Sequence, residues 1–136
     1  MPIKKILIID DEDDIREIAQ MSLEDIGNWT VVAASSGPEG LLKAAAEAPD
    51  AILLDVMMPG MDGPTTVLKL RENSITESIP VILLTAKVQA MDKQKFAALG
   101  VAAILAKPFD PVLLPGEIAK ALGWVFSDTT LTLGEK

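Results

Sequence analysis

The sequence predicts an α/β fold, a doubly wound five-stranded parallel sheet flanked by five helices. Five short runs rich in Ile, Leu and Val recur along the chain, apolar at successive positions, as in strands covered on both faces. Between them, apolar residues return at three- and four-residue steps, the period of a helix. The 136 residues amount to one domain. With 49% hydrophobic and 24% charged residues, disorder through low hydrophobicity is excluded. Strands alternating with helices in one such unit make a parallel sheet with helices on each side.

The first strand is Lys5–Ile9, ending at Asp10. From Asp13 the period changes, and Ile15, Ile18, Ala19, Leu23 and Ile26 mark one amphipathic helix stopped by Gly27. Trp29–Ala34 reads as the second strand. Ser36 with Glu39 three residues on matches a helix start, and Pro49 ends that helix. Ala51–Leu54 is a third buried strand closing at Asp55, before a loop thick with breakers, Met57-Met58-Pro59-Gly60-Met61-Asp62-Gly63. A helix through Thr66–Arg71 and a polar stretch to Ser78 lead into strand four, Pro80–Leu84, which ends at Thr85. A helix through Phe96–Leu99 stops at Gly100. Strand five is Val101–Leu105, followed by Lys107-Pro108, and the last helix runs from about Asp110 to Leu122. One domain over residues 1–123 with a tail over 124–136 is the expected organisation. The apolar burst Trp124-Val125-Phe126 is expected to pack back on the domain.

Composition narrows the chemistry. The chain has no Cys, which excludes disulfides, thiolate-bound zinc and thiol catalysis, and no His, the usual general base. Carboxylates, hydroxyls and lysines are left. A net charge of −8 argues against nucleic acid, whose phosphates call for clustered Lys and Arg. No apolar run approaches the roughly 18 residues of a membrane span, and a cytoplasmic protein is expected.

In open parallel sheets, ligands bind beyond the carboxyl ends of the strands. Those ends carry Asp10-Asp11, Asp55, Thr85 and, just past strand five, Lys107. Three carboxylates that close repel one another unless a cation sits among them. Oxygen ligands without His or Cys favour a hard ion, and a few carboxylates plus water suit Mg²⁺. Such a site with a lysine beside it is built to hold a phosphoryl group, and Asp55 can be the nucleophile that forms an acyl phosphate. With no His in the chain, the donor has to be another molecule.

Taken in order, these residues resemble the receiver domains of two-component response regulators. The resemblance runs from Lys5 to about Leu122. It rests on Asp10-Asp11, on Asp55 with Met58-Pro59-Gly60-Met61-Asp62-Gly63, on Thr85-Ala86 and on Lys107-Pro108-Phe109. It implies a flavodoxin-like sheet in the order 2-1-3-4-5. It also implies a signalling phosphoacceptor, not an enzyme with a substrate of its own, that assists its own phosphorylation and dephosphorylation. Asp55 would take phosphate from the phosphohistidine of a histidine kinase or histidine phosphotransfer protein. Mg²⁺ would be bound by Asp11, Asp55 and the backbone carbonyl of Met57, with Asp10 acting mostly through a water. Lys107 would contact the phosphoryl oxygens, with a cis bond to Pro108. Thr85 would report the phosphate to the face of helix four, strand five and helix five, where a downstream protein, or a second copy in a homodimer, would dock.

One position departs from the family pattern. Three residues before the lysine, where the family usually has Tyr or Phe as a rotating switch, stands Ile104. A binding module whose output does not depend on phosphorylation is therefore the alternative. A Mg²⁺-dependent aspartyl phosphatase fits less well, because those enzymes generally use Asp-x-Asp after the first strand. Met57 and Lys87 occupy positions that tune phosphate lifetime in the family. Glu12, Asp13 and Asp14 read as solvated acids that suit a helix start, and Met57, Met58 and Met61 as gap-filling apolar residues. Lys87, Lys93 and Lys95 read as solvated helix surface.

Overall fold

Strands β1 (Lys5–Ile9), β2 (Thr30–Ala34), β3 (Ala51–Asp55), β4 (Val81–Thr85) and β5 (Ala103–Ala106) form one parallel sheet in the order β2-β1-β3-β4-β5. The structure, a computed structural model, describes residues 3–86 and 90–125, with only the backbone for 90–92. Helices α1 (Asp13–Met21), α2 (Gly37–Glu47), α3 (Gly63–Glu72), α4 (Ala90–Ala97) and α5 (Leu114–Leu122) connect and cover the strands. The order expected from the resemblance is the order found.

Alternation along the strands builds two apolar layers. Leu7, Ile9, Ile52, Leu54, Val81 and Leu83 face α2, α3 and α4 through Ala44, Val67, Leu70 and Phe96. Ile6, Ile8, Leu53, Ile82 and Leu84 face α1 and α5 through Ala19, Leu23, Leu114 and Ile118. The three inner strands are buried on both faces, which is why they read as unbroken apolar runs. The edge strands β2 and β5 are only half-buried.

Local chemistry sets the element ends. The Ser36 side chain accepts the Glu39 N–H at the start of α2, and Glu39 reaches back to the Ser35 N–H. Asp62 caps α3 by accepting the Thr65 N–H. Within the polar stretch before β4, Thr76 is buried and donates to the Leu70 carbonyl, while Arg71 donates to the carbonyls of Glu77 and Ile79. Those bonds seat the connection that leads into β4.

Two helices differ from their expected course. The first does not run regularly to Ile26. Its last turn, Ser22–Ile26, is π-helical, and Ile18 points outward while Leu23 is fully buried. The wider turn sets the Ser22 hydroxyl against the Pro111 carbonyl, which it donates to. The last helix begins at Leu114, not Asp110, because Asp110 instead organises a preceding turn. Its carboxylate accepts the Val112 N–H and its carbonyl accepts the Leu113 and Leu114 N–H groups. Trp124 packs edge-on against Trp29 with ring centroids 5.3 Å apart. Val125 is exposed, and Phe126 lies outside the described residues.

Candidate functional site

All five strands run the same way, so residues at their carboxyl ends meet on one edge although they are distant in sequence. Asp10 directly follows β1, Asp55 closes β3, Thr85 closes β4 and Lys107 follows β5. The backbone ladder carries each into place. The Asp10 N–H bonds to the Ala34 carbonyl, the Val56 N–H to Leu84, and the Lys107 N–H to Thr85 at 2.8 Å. The Lys107-Pro108 bond is cis.

Asp10, Asp11 and Asp55 each offer a carboxylate oxygen within 4.8 Å of the others. Lys107 Nζ stands among the acids, 3.0 Å from Asp10 Oδ2, 2.9 Å from Glu12 Oε1 and 3.2 Å from Asp55 Oδ1. Asp10 and Asp55 are almost fully buried, and the Lys107 side chain nearly so. One lysine is too little for this much negative charge. Among the described residues, Asp11 Oδ1 and Asp55 Oδ2 are buried without a hydrogen-bond partner, and Asp10 Oδ2 has only its ion pair. Buried carboxylate oxygens left in that state are costly. A set of hard oxygen donors with spare lone pairs fits a divalent cation such as Mg²⁺.

The ionisation of the site follows from the same crowding. Burial and the neighbouring Asp10 charge push the Asp55 carboxyl up to about 6, against the opposing pull of Lys107 and the Met57 N–H. Burial works to lower the Lys107 ammonium, but Glu12, Asp10 and Asp55 outweigh it and hold it above the usual lysine range. Lys107 is therefore always charged. A cation that offset Asp10 would draw the Asp55 carboxyl back toward its ordinary range.

The structure brings together the sequence-selected Asp10, Asp11, Asp55, Thr85 and Lys107. Met57 donates its N–H to Asp55 Oδ1 at 3.4 Å. Its side chain is 74% exposed instead of filling a gap, because the sharp turn after β3 throws it outward beside the site. Met58 does fill the core. Ile104 pairs with Leu83 in register and packs, partly buried, on the same apolar layer. Lys93 and Lys95 are exposed, and Lys87 lies outside the described residues.

Sequence reasoning missed two contributors. Glu12 is no bystander, since it accepts a hydrogen bond from Lys107 across 95 positions of sequence. Arg16 donates to the Asp10 carbonyl and to Asp13, bracing the turn that presents the acids. The three-residue step from Asp13 to Arg16 is a helical pairing distance and carried that second signal. Nothing in sequence pairs Glu12 with Lys107.

The comparisons with known proteins decide the family. The profile of the response regulator receiver domain matches residues 6–119. The chain belongs to that family. It is 43% identical over 108 residues to the alkaline phosphatase synthesis transcriptional regulatory protein PhoP of Bacillus subtilis, covering 79% of this chain and 44% of that protein. To the response regulator PleD of Caulobacter vibrioides it is 42% identical over 112 residues, 81% of this chain and 24% of that one. The chain thus spans less than half the length of these curated relatives. Among solved structures, chemotaxis protein CheY4 of Vibrio cholerae superposes with a TM-score of 0.83 at 32% identity, covering 88% of this chain and 99% of that one. The receiver domain of a signal transduction histidine kinase from Syntrophus aciditrophicus superposes at 0.76 with 28% identity, covering 88% and 90%. This receiver domain is a signalling module of two-component systems. No helix among its described residues is long and apolar enough to cross a membrane.

Proposed function

We propose that this receiver domain accepts a phosphoryl group on Asp55 from the phosphohistidine of a histidine kinase or phosphotransfer protein, in a Mg²⁺-dependent reaction. The observation that carries this reading is the trio of buried, under-satisfied carboxylate oxygens beside one lysine, at the strand edge where receiver domains handle phosphate. Asp10, Asp11 and Asp55 would hold the ion, with the Met57 carbonyl completing the set. A bound Mg²⁺ would supply charge neutralisation for the carboxylates and for the transferring phosphoryl oxygens. A carboxylate oxygen of Asp55 attacks phosphorus, a P–O bond forms, and the P–N bond to the donor imidazole breaks. The imidazole leaves with the electron pair and takes up a proton. Lys107 holds a phosphoryl oxygen, and the Thr85 hydroxyl donates to another.

The signal then passes by contact with a downstream protein at the face of α4, β5 and α5. Ile104 favours a second reading for the output alone, a module whose partner affinity is the same with and without phosphate. Incubation with Mg²⁺ and acetyl phosphate tests the main reading by intact mass. One phosphoryl group is expected in the native protein and none in Asp55→Asn. An unmodified native mass, or the same gain in Asp55→Asn, refutes it. Equal partner affinity of the two forms supports the second reading.

A further inference from the structure

We propose that Glu12 is a displaceable counter-ion for Lys107, a positioning residue that sets how fast the site gains its phosphoryl group. The inference rests on the phosphoacceptor reading and adds a residue to it. Lys107 Nζ touches three carboxylates, and its contact with Glu12 at 2.9 Å is the shortest. These three partners are not equivalent. Asp10 and Asp55 have side chains 1% and 3% exposed, fixed at strand ends, whereas the Glu12 side chain is 59% exposed.

An ammonium has three donors, and here they face three acids. A phosphoryl group arriving on Asp55 brings new oxygens to Lys107, so one existing partner has to yield. Asp10 has no solvent to turn into, and freeing it takes a buried charge from its cation. Asp55 is fixed at its strand end and keeps its oxygens beside the lysine as the acyl phosphate forms. Glu12 rotates into water at little cost, since an exposed ion pair is worth little. Its backbone does not need to move, because the Glu12 N–H stays bonded to Asp10 Oδ1 at 2.9 Å. Glu12 thus keeps the lysine poised over the unmodified site and competes with the phosphoryl oxygens for it. The residue acts through Lys107 and touches no reacting atom.

The test compares phosphorylation by acetyl phosphate at saturating Mg²⁺ in the native protein, Glu12→Gln and Glu12→Asp. In each reaction the Asp55 carboxylate forms the P–O bond, and acetate leaves with the electron pair of the bond that breaks. Glu12→Gln removes the charge and keeps the reach, while Glu12→Asp keeps the charge and shortens the reach. Both are expected to react roughly two- to fivefold faster, the scale of an exposed ion pair, with the difference shrinking at high salt. A structural readout accompanies the rates: in the Mg²⁺-free, unmodified protein the Lys107 ammonium, followed by NMR, exchanges with water faster in Glu12→Asp than in the native protein. Acceleration in Glu12→Gln alone would mean simple repulsion of the anionic donor and would overturn the proposal. Native rates in both variants, or an unchanged ammonium exchange, would overturn it too. A native protein that takes up no phosphate instead removes the phosphoacceptor reading itself.

Discussion

Lys107 Nζ lies 3.2 Å from Asp55 Oδ1 although their strands never touch, since β4 stands between β3 and β5. The reach is possible because the Lys107 N–H is held by the Thr85 carbonyl at the end of β4, which starts the side chain back across the sheet edge. The ion pair therefore joins three strands at the point where their charges collect.

Replacing that lysine should cost stability as well as function. Lys107→Ala leaves Asp10 and Asp55 buried without their shared cation, and breaking such a buried pair costs about 3 kcal/mol. The loss is expected in urea unfolding at pH 8 with a chelator present. It should shrink on adding Mg²⁺, which replaces the missing positive charge. A loss that Mg²⁺ does not reduce would show that the lysine matters for packing instead of charge.

The Asp55 carboxyl gives a pH dependence of definite sign. Its ordinary value is 3.8, and in the Mg²⁺-free fold it is raised to about 6. Well below pH 4 both folded and unfolded chains carry the proton, and the group costs nothing. Between there and pH 6 the unfolded chain ionises first, so stability falls with rising pH by about 3 kcal/mol at most. Asp55→Asn removes this term. Without Mg²⁺ the variant should match the native protein well below pH 4 and exceed it at pH 8, measured by urea titration. Parallel curves for the two proteins across that range would contradict the crowding argument.

Gly63 carries a different constraint, because a Cβ there would stand 2.6 Å from the Asp55 carbonyl oxygen and 2.8 Å from Val56 Cα. Both obstacles are backbone, and the Gly63 N–H bonds to the Val56 carbonyl, so the start of α3 cannot slide away cheaply. Gly63→Ala is expected to destabilise the fold by about 1–3 kcal/mol. Because the displaced backbone is the turn that carries Asp55 and Met57, it should also weaken Mg²⁺ binding several-fold in calorimetry. Loss of stability with native Mg²⁺ affinity would confine the strain to α3.

The legible part of this protein was the part written in strong local patterns. The inner strands Ile6–Ile9, Ile52–Leu54 and Ile82–Leu84 are buried on both faces, and burial of that kind leaves unbroken apolar runs. Once five parallel strands were read, the edge that gathers Asp10, Asp55, Thr85 and Lys107 followed from topology. Contacts made by long side chains between distant segments were not legible. Glu12 looked like one more helix-starting acid because only the fold sets Lys107 above it. The π-helical turn at Ser22–Ile26 was hidden for a related reason. It serves a contact with the distant Pro111 carbonyl and the burial of Leu23, while the local apolar spacing suits a regular helix equally well.

Trp124 sits one residue past the expected domain boundary at Gly123, and its packing makes a last prediction. Its ring meets Trp29 at 87°, an edge-to-face arrangement, while Lys4 Nζ lies 4.9 Å from its centroid. Edge-to-face pairs and cation–π contacts each contribute about 1 kcal/mol, so Trp124→Ala should lose about 2 kcal/mol. Val125→Ala, at a position 93% exposed, should change little. A double-mutant cycle with Trp29→Ala should return a coupling of about 1 kcal/mol. Lys4 and Trp29 precede β1 and β2, so this cluster lies at the amino ends of the strands, opposite the acidic edge. Rates of phosphoryl uptake should accordingly stay native in Trp124→Ala. No coupling between the two rings would end the folded unit at Gly123 after all.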